Sequence, residues 1–235
     1  MQIAGIQPLS TVDWPGKLVC TVFCQGCPWA CVYCHNHQIL DCRTPGQVPW
    51  EEVLELLGNR VGLLDGVVFS GGEACRQGTD LLAAMQQVRD LGFAVGLHTA
   101  GAYPQVLEAA LKAGLLDWVG LDIKAPARFY PQVVGAPGGG RAWDSLQILL
   151  EGAATYLPDS FDYEVRLTVY PQMPFDPLEV AESLAKLQVR TLVVQKARAT
   201  GAPAEFAQTF TNWDVEYQQL VEQLKQFSGL QILFR

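Results

Sequence analysis

Short apolar, β-branched runs alternate with stretches of helical period along nearly the whole chain. The runs Leu18 to Phe23, Gly66 to Phe69, Ala94 to Leu97, Trp118 to Ile123, Tyr163 to Thr168 and Thr191 to Val194 read as strands. Between them the spacing predicts helices over Trp50 to Leu57, Thr79 to Leu91, Pro104 to Ala113, Ala142 to Gly152 and Pro177 to Leu187. After the sixth run, Trp213 to Phe227 reads as a helix and Leu230 to Phe234 as a short terminal strand. Single helices between short apolar strands imply a parallel sheet, because parallel neighbours need a crossover. The pattern alone leaves an incomplete barrel and an open, doubly wound sheet as alternatives. In both, chemistry is expected just beyond the carboxyl ends of the strands.

The 235 residues suit one domain, 1–235, with core strands roughly over 18–196 and a C-terminal helix and strand over 213–235. With 49% of residues hydrophobic and 17% charged, a sizeable core is available and disorder is excluded. The formal charge of −8, with no lysine or arginine cluster, argues against a nucleic-acid partner. Leu18 to Leu40 lacks formal charge, but its five cysteines, Gln25, Asn36 and two histidines make it no lipid span. The N-terminus lacks the basic patch and apolar core of a signal peptide, and all seven cysteines fall between Cys20 and Cys75. Reduced cysteines in a cytoplasmic site, with no membrane partner, are therefore expected.

After the first predicted strand, Cys27, Cys31 and Cys34 have the spacing C-x3-C-x2-C. One short loop can thus wrap three thiolates around an inorganic centre. An iron–sulfur cubane held this way would keep one iron open, whereas a structural zinc site would take His35 or His37 as a fourth ligand. Cys24 also makes a ligand-like pair with Cys27, but it and Cys20 read as buried strand thiols. Cys42 and Cys75 have no partner spacing.

The later strands end in further polar signals. Phe69-Ser70-Gly71-Gly72-Glu73 combines two glycines, able to approach a ligand closely, with a charge at the mouth of the site. Leu97-His98-Thr99-Ala100-Gly101 puts polar groups at the same rim. In Leu121-Asp122-Ile123-Lys124, a period of two sets Asp122 and Lys124 on one side, where they pair with each other or meet a charged ligand. Glu164, Arg166 and Thr168 share a face of the fifth strand, and a structural ion pair between Glu164 and Arg166 is expected. Gln195 and Lys196 follow the sixth strand, and the Pro- and Gly-rich stretch from Phe129 to Gly140 reads as a solvated connection.

The cysteine motif, with Tyr33 before its last cysteine, resembles that of the radical S-adenosylmethionine enzymes. Gly26-Cys27-Pro28-Trp29-Ala30-Cys31-Val32-Tyr33-Cys34-His35-Asn36, with the upstream Asp13-Trp14-Pro15-Gly16-Lys17, is similar to the glycyl-radical-enzyme activases within them. The resemblance implies an α/β fold built as a parallel-stranded partial (β/α)6 barrel. It also implies a 4Fe-4S cluster on Cys27, Cys31 and Cys34, and S-adenosylmethionine bound by Tyr33, Gly71, Gly72, Glu73, Thr99, Asp122 and Lys124. His98 stands where other activases often carry an aspartate, and Ala74 where many carry proline. The implied activity is reductive cleavage of S-adenosylmethionine, fed by a low-potential electron donor. Its implied product is a glycyl radical on a partner enzyme such as anaerobic ribonucleotide reductase. A small-molecule radical enzyme such as a 7-carboxy-7-deazaguanine synthase and a zinc-binding module are the competing readings.

Overall fold

The apolar runs become strands of a single sheet in the structure, a computed structural model that describes residues 1–155 and 161–235. Six parallel strands carry the expected runs: β2 (Val19–Cys24), β3 (Gly66–Gly71), β4 (Ala94–Thr99), β5 (Trp118–Asp122), β6 (Asp162–Val169) and β7 (Thr191–Lys196). The terminal strand β8 (Gln231–Phe234) pairs parallel to β7. An eighth strand, β1 (Ile3–Ser10), precedes them and pairs antiparallel to β2. It escapes the pattern because it is an edge strand containing Pro8, with two register shifts and no clean alternation of buried and open positions.

The strands lie side by side in chain order from β1 to β8. A doubly wound sheet needs a reversal of strand order, and there is none. Successive crossovers of one hand therefore curl the sheet into a partial barrel, open between β1 and β8.

The crossovers hold α1 (Trp50–Gly58), α2 (Thr79–Asp90), α3 (Pro104–Lys112), the short α4 (Tyr130–Val134), α5 (Gly139–Thr155) and α6 (Pro177–Lys186), with α7 (Ala204–Ala207) and α8 (Trp213–Lys225) before β8. Helical spacing places Leu81, Ala84, Met85 and Val88 of α2 on its buried side. The start of α6 is set by Pro177 and by Asp176, whose carboxylate accepts from Leu178 N–H at 2.9 Å. Two expectations fail here. The stretch from Phe129 to Gly140 is not a plain connection but contains α4, and α5 begins at Gly139 rather than Ala142. A Cβ on Gly139 would lie 2.2 Å from the Ala127 carbonyl oxygen, so glycine here serves close packing and does not break the helix.

Alternation along the strands separates two cores. Cys20, Val22 and Cys24, with Val67, Phe69, Val95, Leu97, Val119 and Leu121, face the helices. The opposite, inward face begins with Val19, Val68 and Trp118, which pack around Trp14 from the β1–β2 loop. The rings of Trp14 and Trp118 stack with centroids 5.6 Å apart, and Trp14 lies so close under β4 that a Cβ on Gly96 would approach it to 2.9 Å. Trp14 thus plugs the base of the barrel. Polar side chains occupy the inward positions above it.

Candidate active site

The cysteine loop leaves β2 at Gly26, whose φ of +90° favours glycine. Its backbone is fastened on both sides: Gly26 and Cys27 N–H donate to Ile39 and Leu40, and Ala30 and Val32 N–H donate to Val134 and Val133 of α4. Trp29 is buried edge-on against Tyr130, with ring centroids 5.5 Å apart, and a Cβ on Gly138 would strike its indole. The segment expected to be a solvated connection is therefore the brace of the loop. Cys27, Cys31 and Cys34 are free, half-buried and open onto one cavity of about 430 Å³ at the carboxyl ends of the strands. Burial, reinforced by the Glu73 charge, pushes Cys27 up to about 12, and burial raises Cys31 and Cys34 as well. Unligated, these groups are thiols at neutral pH, and any metal centre held here would have to displace their protons.

Among the described residues no three His, Cys, Asp or Glu side chains converge on a point that would hold a single ion. His35 Nε2 is 3.0 Å from the Arg198 carbonyl oxygen, and His37 Nδ1 is 3.3 Å from that of Cys34. Cys24 and Cys20 are fully buried, and burial pushes Cys24 up to about 12.

At the end of β3, Gly71 has φ +113° and lies against β2, where a Cβ would come within 2.3 Å of the Cys24 nitrogen. Gly72 and Glu73 N–H donate to the carbonyls of Cys24 and Gly26, so both glycines seal the strand end onto the cysteine loop while lining the cavity. Glu73 differs from expectation. Its carboxylate does not stand at the mouth but is buried, accepting from Thr99 Oγ1 at 2.8 Å, Ala100 N–H at 2.9 Å and Cys75 N–H at 3.0 Å. It clamps the end of β3 to the end of β4, and burial raises its pKa above the ordinary carboxylate value despite those three donors.

The floor of the cavity is a layer of charge. His98 Nε2 is 2.7 Å from the Asp13 carbonyl oxygen and its Nδ1 3.2 Å from Ser70 Oγ. Asp122 lies between Arg166, whose Nε donates to Oδ1 at 2.8 Å, and Lys124, whose Nζ is 3.5 Å from Oδ2. Although burial opposes its charge, Arg166 and Lys124 hold Asp122 below the usual carboxylate range. The expected Glu164–Arg166 pair is present but long, with Arg166 Nη1 4.0 Å from Glu164, and Glu164 also accepts two bonds of 2.9 Å from Arg235. Register explains this, since Asp122 is the direct cross-strand partner of Arg166. Thr168, Gln195 and Lys196 also line the cavity, and Lys196 bonds Asp214 of α8. Ser70 and Arg235 also line the cavity and were missed; the period of two that picked out Asp122 and Lys124 reaches Arg235 when continued past β8.

Tyr33 tests whether a ligand suits this place. It is buried on the cavity wall against Tyr170, with Lys124 Nζ 5.6 Å from its ring centroid, and its hydroxyl has no hydrogen-bond partner. Trp29 Nε1, on the same cavity, is equally unpartnered. Tyr170 and Trp213, which do not line the cavity, carry unpartnered buried polar atoms too, so what fits a cofactor here is the donor set itself: three thiols on one loop, with Asp122 and Lys124 facing them.

The sequence pattern of the Radical SAM superfamily matches residues 21–153, more than half of the chain. A protein of Methanocaldococcus jannaschii assigned as a glycyl-radical enzyme activating enzyme is 32% identical over 134 residues, 56% of this chain and 54% of the relative. The pyruvate formate-lyase-activating enzyme of Clostridium pasteurianum is 34% identical over 127 residues, 52% of each chain. The chain thus spans about half the length of these relatives. Among solved structures, Streptococcus suis SuiB bound to S-adenosylmethionine superposes with a TM-score of 0.64 over 90% of this chain and 48% of SuiB, at 12% identity, a likeness of fold.

Proposed function

Because the chain belongs to the Radical SAM superfamily, whose members use a 4Fe-4S cluster and S-adenosylmethionine, we propose that it is an activase placing a glycyl radical on a partner enzyme, anaerobic ribonucleotide reductase. The observation that carries the reading is one loop presenting three free thiols to a cavity floored by Asp122 and Lys124. Cys27, Cys31 and Cys34 would hold the cluster. When bound, the reduced cluster and S-adenosylmethionine supply one-electron cleavage of a carbon–sulfur bond, chemistry that removes a hydrogen atom from an unactivated carbon.

The remaining residues bind and orient. Lys124 offers an ammonium to a carboxylate, and Asp122 a carboxylate to an ammonium or a hydroxyl. Gly71 and Gly72 bring backbone to the ligand without side chains in the way, and Glu73 acts behind them by fixing Thr99 and the Ala100 amide. Tyr33 and Trp29 form an apolar wall that excludes water from a reactive centre. No side chain is required to take a proton. The named relatives that activate glycyl-radical enzymes support a protein substrate whose glycine Cα supplies the hydrogen, with a low-potential donor supplying the electron.

Purified protein, loaded with iron and sulfide under argon, is to be mixed with dithionite, S-adenosylmethionine and the reductase. A glycyl signal by electron spin resonance is expected. Cleavage of S-adenosylmethionine without that signal rejects this partner, and no cleavage by cluster-loaded protein rejects the activase reading.

A further inference from the structure

Five alternating charges cross the interior of the barrel beneath the cavity. Lys124 meets Asp122 at 3.5 Å, Asp122 meets Arg166 at 2.8 Å, Arg166 approaches Glu164 to 4.0 Å, and Glu164 is held by Arg235 at 2.9 Å through both oxygens. The side chains of Arg166 and Glu164 are each 8% exposed. Only Lys124 and Asp122 belong to the ligand set above, so the far half of the row calls for another explanation.

Arg166 is the shared member. It stands between two carboxylates and can satisfy only one of them closely. Its Nη2 also donates to the Gly120 carbonyl at 3.0 Å, which fixes the guanidinium plane across β5. A buried carboxylate without a partner is strongly unfavourable, and a two-pronged arginine pair is among the strongest ways to satisfy it. Arg235 does this for Glu164 from β8, beyond the intervening β7, where backbone bonds to Val194 and Lys196 hold it. With Glu164 satisfied, Arg166 is left to Asp122.

We infer that Arg235 is a positioning residue that sets the affinity of the cavity for S-adenosylmethionine: by satisfying Glu164 it leaves Arg166 on Asp122. The inference rests on the reading that Asp122 and Lys124 bind that cofactor. Without Arg235, Glu164 draws Arg166 toward itself. Asp122 then loses its Nε bond and turns wholly to Lys124, whose ammonium is no longer available to a ligand carboxylate.

The test is isothermal titration of S-adenosylmethionine into cluster-loaded protein without reductant, so that affinity is read in the absence of turnover. Iron content and thermal midpoint are recorded for each variant. Arg235→Gln is expected to weaken binding about tenfold or more, and Arg235→Lys to weaken it less. Glu164→Gln is expected to bind within about twofold of the parent, and the double variant Glu164→Gln/Arg235→Gln to recover to the same level, because a neutral amide makes no demand on Arg166. A double variant as weak as Arg235→Gln would show that Arg235 merely tethers the last strand, and would overturn the inference. Unchanged affinity in Arg235→Gln would do the same. Should that variant fail to fold, Arg235→Lys with and without Glu164→Gln carries the same comparison. A parent protein with full iron that binds no S-adenosylmethionine would instead overturn the reading of the cavity, and this inference with it.

Discussion

Acidification should destabilise this protein through His98. The Asp13 carbonyl can only accept, so the Nε2 facing it at 2.7 Å carries the hydrogen, and Nδ1 accepts from Ser70 Oγ at 3.2 Å. The imidazole is therefore neutral and of one tautomer. A second proton would turn the Ser70 hydroxyl from donor to acceptor and set a cation near Arg166. Burial first, and Arg166 second, pull the group from an ordinary 6.5 down to about 3. A depressed histidine binds its proton in the unfolded chain before the folded one, so its contribution is complete above pH 6.5 and is lost as the pH falls toward 3. At pH 5 the unfolded imidazole is about 1.5 pH units below its own midpoint, which amounts to about 2 kcal/mol of lost stability. Urea unfolding followed by tryptophan fluorescence at pH 7.5 and pH 5.0, on the parent and on His98→Gln, isolates this because the other acids titrate in both proteins. The glutamine amide can still donate to the Asp13 carbonyl. The parent should lose about 2 kcal/mol more than the variant between the two pH values. Losses that agree to within about 0.5 kcal/mol would show that the folded imidazole already carries its proton, and the argument from its two neighbours would be wrong.

Three further outcomes follow from the same geometry. Gly71→Ala, at φ +113° with a Cβ 2.3 Å from the Cys24 nitrogen, should lower the thermal midpoint by at least about 5 °C, and an unchanged midpoint would contradict the close approach of β3 to the cysteine loop. Trp14→Ala removes the plug stacked on Trp118 and should cost about 3–5 kcal/mol in urea unfolding, with Trp14→Phe recovering much of it. Cys31→Ala should fail to retain the full iron complement under anaerobic reconstitution and should not cleave S-adenosylmethionine. Cys24→Ala, changed in the core behind the loop, should retain both; equal loss in the two would overturn the choice of Cys27, Cys31 and Cys34 as the ligand triple.

Much of the fold was legible because a parallel strand buried on both faces leaves an apolar run that no helix interrupts, and the runs at 66–69 or 191–194 needed no partner to be recognised. That Cys27, Cys31 and Cys34 open onto one cavity was legible for a different reason: a loop presenting three thiols together has few spacings open to it. What escaped was set by distant neighbours. Ile3–Ser10 is a strand only because β2 offers it an edge. Tyr130–Val134 is a helix whose carbonyls receive Ala30 and Val32, contacts more than a hundred residues apart in sequence. Glu73 could be placed at a strand end but not turned inward, since its partners Thr99 and Ala100 come from the next βα unit. The choice of Arg166 between Glu164 and Asp122 depended on β5–β6 register, which no single strand encodes.

The inward positions of β5 show how one strand builds all three levels of the interior. Trp118 at its start stacks on Trp14 and closes the base. Gly120, two residues on, has no side chain, and a Cβ there would lie 2.7 Å from the Arg166 guanidinium carbon and 2.8 Å from the Trp118 ring. Glycine is what allows Arg166 to lie flat over β5, 5.9 Å above the Trp118 ring, with Nη2 on the Gly120 carbonyl and Nε on Asp122. Asp122, two residues further, then stands at the cavity with its charge already matched from below, and Lys124 continues the same side past the end of the strand. The period of two thus delivers an apolar plug, a seat for a buried cation and a ligand-facing carboxylate in one pass. The cation seated at the middle level comes from β6, so the polar face of the cavity depends on two strands being in register before any ligand is bound.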